Sequence, residues 1–194
     1  MRKLDNNTRI HIKVNKKARF LATIAWMIAS NTLAIGVGLS TTSGQSEARE
    51  FVPFPLTYAS GTIIIKQSER RLYLTTGPGT AVSYPIAIGR AGMAWQGNTY
   101  VQGKYIRPAW EAPWVVRRDH PQFTHIIPGG SPRNPMGAAA ITLGLSEVAI
   151  HGTTLSMRRS VGTAASYGCI RMYNEDVQDL FNRVHIGTPV VAIP

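Results

Sequence analysis

The apolar and polar positions change character along this chain. From Phe20 to Leu39 nearly every residue is apolar, broken only by Thr23 and the trio Ser30-Asn31-Thr32. From Gly61 the pattern turns to short β-branched or alternating stretches punctuated by glycine and proline. Thr62–Gln67 predicts a strand, Ser68-Glu69-Arg70 a turn, and Arg71–Thr75, with Leu72 and Leu74 in alternation, a returning strand. Gly77-Pro78-Gly79 predicts a second turn and Thr80–Ile88 a third strand, so this part reads as a meander. Asn98–Gln102, Ala138–Leu143, Glu147–Ile150 and Pro189–Ile193 read as further strands, and Leu155–Ala164 as a short helix. Val177, Leu180, Phe181 and Val184 recur at i, i+3, i+4 and i+7, the spacing of an amphipathic helix. Asn174 is its expected N-cap, with Glu175 and Asp176 in the first turn. The sum is a mainly β (α+β) domain, a β-sandwich or curled sheet with one amphipathic helix.

Two stretches resist this pattern. Residues 49–60 contain two prolines and no period, and read as a linker or extended lead-in. Residues 120–137 form a long loop rich in proline and glycine, and ordered loops of that length in compact domains are often functional. Trp110 and Trp114, bracketed by prolines, read as core or rim packing. The chain therefore divides into residues 1–48, 49–60 and a domain over 61–194.

Charge changes the reading of the first part. The formal net charge is +11 over 194 residues. Residues 1–19 carry seven Arg/Lys against one Asp, which is +6. Residues 49–194 also carry +6, from 14 Arg/Lys and 8 Asp/Glu. A basic segment followed by an apolar run is the pattern of an export signal, with Ser46 and Ala48 permitting cleavage after Ala48. The run is also long enough to be retained as a membrane anchor. Either reading puts the remainder in the periplasm or extracytoplasmic envelope. The other basic residues are scattered rather than interleaved with aromatics, which argues against nucleic acid as a partner.

Chemistry concentrates between Val148 and Met172. Cys169 is the one cysteine, so an internal disulfide is excluded. A thiol attacks only as thiolate, and an ordinary pKa of about 8.5 means it needs a base or a cation nearby. His151 ends an apolar run, and fourteen residues, Gly152 to Ala165, separate it from Ser166-Tyr167-Gly168-Cys169, far enough for the chain to leave a strand and return beside it. Gly168 allows a tight turn with positive φ, and the N–H groups of Gly168 and Cys169 can face an oxyanion. Ser166 can hydrogen-bond across the turn, and Tyr167 can line a cleft. Arg171 can lower the thiol pKa, bind a carboxylate as a fork, or pair with Glu175 or Asp176. No H-E-x-x-H or C-x-x-C accompanies His120, His125, His151 and His185, so neither metal nor cofactor is expected.

The pattern His-Gly-Thr, a spacer, then Ser-x-Gly-Cys-Ile-Arg-Met resembles the signature of the L,D-transpeptidases, the YkuD-type peptidoglycan cross-linking enzymes. The similarity extends from about Gly61 to Pro194. It implies a cysteine thioester, a tetrapeptide stem of peptidoglycan as acyl donor, and a neighbouring stem amine as acceptor, giving a 3→3 cross-link. It also implies that the main-chain carbonyl of Gly152 orients His151, and that Met136 and Gly137 lie near bound peptide. Some branches of the family have His where Tyr167 stands and Asn where Arg171 stands. The same thiol chemistry with another acceptor gives an L,D-carboxypeptidase, a D-amino-acid exchanger, or attachment and release of wall proteins. A non-catalytic peptidoglycan-binding module is the reading from another class; it predicts loss of His or Cys, and both are present.

Overall fold

The computed structural model describes residues 49–194, so the expected export signal or anchor lies outside the described residues. Nine strands form one sheet. In chain order they are β1 (Glu50–Pro53), β2 (Ile63–Lys66), β3 (Arg71–Gly77), β4 (Thr80–Pro85), β6 (Gly97–Ile106), β7 (Ala139–Leu143), β8 (Ala149–His151), β10 (Ile170–Arg171) and β11 (Pro189–Ile193). Across the sheet the order is β1-β4-β3-β2-β11-β6-β7-β8-β10. Two further short strands, β5 (Ile88–Gly89) and β9 (Ala164–Ser166), pair with each other. Helix α1 spans Trp114–Asp119 and helix α2 spans Asn174–Arg183. Among the described residues no helix is long and apolar enough to cross a membrane.

The long strand β6 curls the sheet. Its first part, Gly97–Tyr100, pairs antiparallel with β11, and its second part, Val101–Ile106, pairs with β7 across a register shift between Val101 and Gly103. Such a shift bends a strand and increases its twist. The two halves then face each other over one core that takes Ile63, Ile65, Leu72, Val82, Leu143 and Ile150. Helix α2 contributes Val177 and Leu180 to that core and packs on β7 and β8. Ile64 points to the opposite face, into a smaller cluster with Phe54 and Ala81. Burial on both faces explains why β2 reads as an unbroken apolar run rather than an alternation.

Several elements differ from the sequence reading. The lead-in becomes edge strand β1, where Pro53 is tolerated because an edge strand does not need every N–H. The third strand stops at Pro85, and Ile88–Gly89 pairs separately with β9. Strand β6 runs past Gly103 to Ile106 because β7 supplies a partner that local sequence does not reveal. Within Leu155–Ala164 only one 3-10 turn forms, Arg158–Ser160; it buries no side chain, so nothing holds a longer helix together. Helix α1 was not expected at all. Asn174 is the first residue of α2 rather than its cap, and Tyr173 occupies the cap position.

One carboxylate in α2 is held against its chemistry. Asp176 is 5% exposed, and burial raises its pKa to about 6, Glu175 and Asp179 adding to the shift while Arg49 opposes it. The unfolded group ionises near 3.8. Its cost is therefore absent below that value and complete once pH passes the folded value. Asp176→Asn is expected to stabilise the fold by about 1–2 kcal/mol at pH 7, some of the gain being lost with the favourable charge at the helix N-terminus. Urea unfolding at pH 7 and pH 4 should show the gain at the higher pH and little at the lower.

Candidate active site

Strand pairing sets the site. β10 runs parallel to β8, with Ile170 beside Ile150 and Arg171 beside His151. The two isoleucines are buried in the main core. Side chains alternate across a strand, so Cys169 and Arg171, with Ala149 and His151, project to the other face. Cys169, His151 and Arg171 line a common cavity of about 150 Å³ together with Tyr167 and Met157. A larger cavity of about 770 Å³ adjoins it, lined by Gln102, Tyr105, Trp110, Glu111 and Arg117. Cys169, Met136 and Glu147 belong to the walls of both. The thiol thus sits where two clefts meet.

The turn that presents the thiol is closed by its own polar groups. Ser166 Oγ donates to the Cys169 carbonyl at 2.5 Å and accepts from the Gly168 N–H at 3.1 Å. Gly168 has φ +120°, in the region that side chains disfavour, and Trp95 Nε1 donates to its carbonyl at 3.1 Å. The Gly168 N–H, expected to face an oxyanion, is therefore occupied by Ser166. The thiol donates to the Glu147 carbonyl at 3.6 Å. Glu147 itself holds φ +59°, an uncommon conformation for a non-glycine residue, at the tip of the β7–β8 hairpin.

The imidazole and the thiol are both neutral at rest. His151 is 4% exposed and its Nδ1 lies 2.7 Å from the Gly152 carbonyl, the group the resemblance implied. Burial, with the positive charge of Arg171, pushes its pKa down to about 4, although the carbonyls of Gly152 and Pro135 favour the protonated ring. Burial also pushes the Cys169 thiol up; the Ala149 N–H and Arg171 oppose this without reversing it. A preformed thiolate–imidazolium pair is thus disfavoured, and the sulfur must lose its proton during attack.

Arg171 reaches Ser160 Oγ at 3.4 Å and pairs with neither Glu175 nor Asp176. Glu175 is instead gripped by both guanidinium nitrogens of Arg158. Tyr167 points outward: its hydroxyl donates to Asp119 Oδ2 at 3.0 Å, and Arg90 stacks 4.0 Å over its ring. Arg90 and Arg118 also donate to Asp119, at 2.7 and 2.8 Å, and hold its carboxyl well below the usual range. Asp119 ends α1, so this cluster ties the wall above the cleft to the turn that presents Cys169. Met136 lines both clefts, whereas Gly137 lies behind the histidine, against Asn174 and Thr153. Asn134 fixes this loop by donating to the carbonyls of Pro108, Ile127 and Pro128 and accepting from the Met136 N–H.

Residues Trp95, Asp119, Glu147 and Asn174 were not picked out as site residues from the sequence. Each makes its contact across the fold; of the four, only Asn174, the polar residue beginning α2, left a visible signal.

Comparison with known proteins gives this geometry a family. The sequence model of the L,D-transpeptidase catalytic domain (YkuD) matches residues 60–191. The chain belongs to the L,D-transpeptidase family. The probable L,D-transpeptidase ErfK/SrfK of Salmonella typhimurium is 34% identical over 173 residues, covering 84% of this chain and 55% of that protein. The chain thus spans about half the length of that curated relative. Among solved structures, L,D-transpeptidase 3 from Mycobacterium tuberculosis has the same fold, with TM-score 0.55 at 16% identity over 69% of this chain and 60% of that one. A Brucella melitensis structure described as a probable carnitine operon oxidoreductase is 36% identical, covers 77% of this chain and 95% of its own, and has TM-score 0.52. Its description names a redox activity, which neither the family model nor the curated relative shares. L,D-transpeptidases are transferases that act through a cysteine, and the mainly β sheet with its two helices matches them.

The neutral imidazole has a measurable consequence. NMR titration of His151 should give a midpoint near 4 rather than the 6.5 of a free histidine, and Arg171→Gln should move it upward by removing a positive charge. A midpoint near 6.5 in both proteins would contradict the burial argument.

Proposed function

We propose that this L,D-transpeptidase forms 3→3 cross-links in peptidoglycan through a thioester on Cys169. The observation that carries the reading is the placement of Cys169 and His151 on one face of the β8–β10 pair, with the thiol at the junction of two clefts. His151 takes the thiol proton as sulfur attacks the donor carbonyl. The Cys169 N–H faces the oxyanion. Collapse releases the terminal D-alanine, whose amine takes the proton back, and leaves the acyl group on sulfur. The side-chain amine of a second stem then attacks the thioester and regenerates the thiol. The energy of the cleaved peptide bond is kept in the thioester, so the cycle needs no cofactor or nucleotide.

Two clefts that converge on one sulfur suit two peptide stems. The smaller, with Arg171 and Tyr167, takes the donor, whose terminal carboxylate can be forked by the guanidinium. The larger, with Glu147 in its wall and Glu111 paired there to Arg117, takes the acceptor, whose amine attacks in its neutral form. Met136 borders both stems. The enzyme works in the cell envelope, where its substrate is, and the apolar segment 20–39 delivers it there as a signal or anchor.

The test is mass spectrometry of a disaccharide tetrapeptide incubated with the full chain. A cross-linked dimer with one D-alanine lost is expected. A tripeptide would assign water as acceptor, and an unchanged substrate would sink the acyl-transfer reading. Cys169→Ala should abolish turnover without changing the thermal midpoint. One homologous structure carries imipenem; the same compound should add its mass to this chain, and the Cys169→Ala protein should remain unmodified.

A further inference from the structure

Asn174 starts α2 but gives its side chain to none of the N–H groups of that helix. Every polar contact it makes goes to the two segments that flank His151. Its Oδ1 accepts from the Thr153 N–H at 3.1 Å and from the Ala138 N–H at 3.0 Å, while its Nδ2 donates to the Thr153 carbonyl at 3.0 Å. The orientation of the carboxamide is forced, since a flip would set its NH2 against two N–H donors.

The Thr153 N–H belongs to the peptide group whose other end is the Gly152 carbonyl. That group is planar, and its C=O and N–H point in opposite directions. One end meets His151 Nδ1 at 2.7 Å and the other meets Asn174. The second segment carries Pro135, whose carbonyl also favours the protonated ring, and it is tethered through Ala138. Space for the carboxamide exists only because residues 137 and 152 are glycine. A Cβ at either would lie 2.2 Å from Asn174 Oδ1, and Gly137 also holds φ +65°.

We infer that Asn174 is a positioning residue for the base: it fixes the Gly152–Thr153 peptide plane and, through it, the ring orientation and tautomer of His151. With Nδ1–H committed to the Gly152 carbonyl, Nε2 keeps its lone pair for the thiol proton. When that proton arrives, the cationic ring pulls harder on the carbonyl, the peptide group polarises, and its N–H donates more strongly to Asn174. The side chain therefore stabilises the imidazolium at one remove, just as the thiol loses its proton. The catalytic consequence rests on the acyl-transfer reading of His151; the tautomer does not.

The test combines Asn174→Ala, the near-isosteric Asn174→Leu and Asn174→Asp. Nitrogen-15 NMR of the full chain without substrate reads the His151 tautomer. The parent protein should show the Nδ1–H form. The Ala and Leu variants should show a mixture of tautomers and lose kcat about tenfold or more with KM little changed. A carboxylate accepts the same two N–H groups but gives up the bond to the Thr153 carbonyl; because the Thr153 N–H contact that fixes the peptide plane is kept, the Asp variant should keep the Nδ1–H form. A folded Ala or Leu variant with the parent tautomer and kcat within about twofold overturns the inference. A folded Asp variant that loses the Nδ1–H form overturns it too, and the spectrum of that variant decides alone if the apolar substitutions do not fold. Because the tautomer is read without substrate, failure of the cross-linking assay and failure of this inference are separate results.

Discussion

The pairing of β10 with β8 is the constraint on which the site depends. Only two residues of β10 take part, yet Ile170 and Ile150 insert into the main core from adjacent strands. Their burial fixes the register, because a slip of β10 by one residue would turn Ile170 toward the cleft and the thiol toward the core, while β7 holds Ile150 in place. The same parity that hides the isoleucines exposes Cys169 and His151 to one cavity. Hydrophobic burial on one face of the sheet thereby places Cys169 and His151 on the other.

Burial also decides the electrostatics. Two opposing influences act on the sulfur: desolvation favours the thiol, while Arg171 and the Ala149 amide favour the thiolate. Desolvation dominates, and the carbonyl of Glu147 receives the resting S–H. The imidazole is under the same pressure, reinforced by the neighbouring guanidinium. Charge separation is thus left to the moment of attack, when the main-chain carbonyls of Gly152 and Pro135 can stabilise the ring's positive charge. No carboxylate is needed to orient the histidine, and a backbone carbonyl serves in its place.

Much of this was legible in the sequence, for stated reasons. The run T-I-I-I-K, the alternation in R-L-Y-L and the 3.6-residue period of α2 are local signals, and the elements they mark are present. The glycine before Cys169 and the histidine ending an apolar strand were visible as a motif. What stayed hidden depends on distant partners. The second half of β6 is a strand because β7 lies beside it, and Asn174 looked like a helix cap because its true acceptors and donors are 21 and 36 residues away. Arg171 had an acidic neighbour in sequence, but Arg158 occupies that neighbour in space.

The cluster at Asp119 has a bearing on how the wall above the cleft behaves. Beneath it Cys169 and His151 are mounted on packed hydrocarbon, which dissolved ions do not weaken. The wall, by contrast, is moored to Tyr167 through a single carboxylate and two surface guanidinium groups. Contacts of that kind weaken as mobile counter-ions accumulate around them. The mouth of the groove is therefore responsive to the surrounding ionic medium, while the packing that carries Cys169 and His151 at its floor is insulated from it.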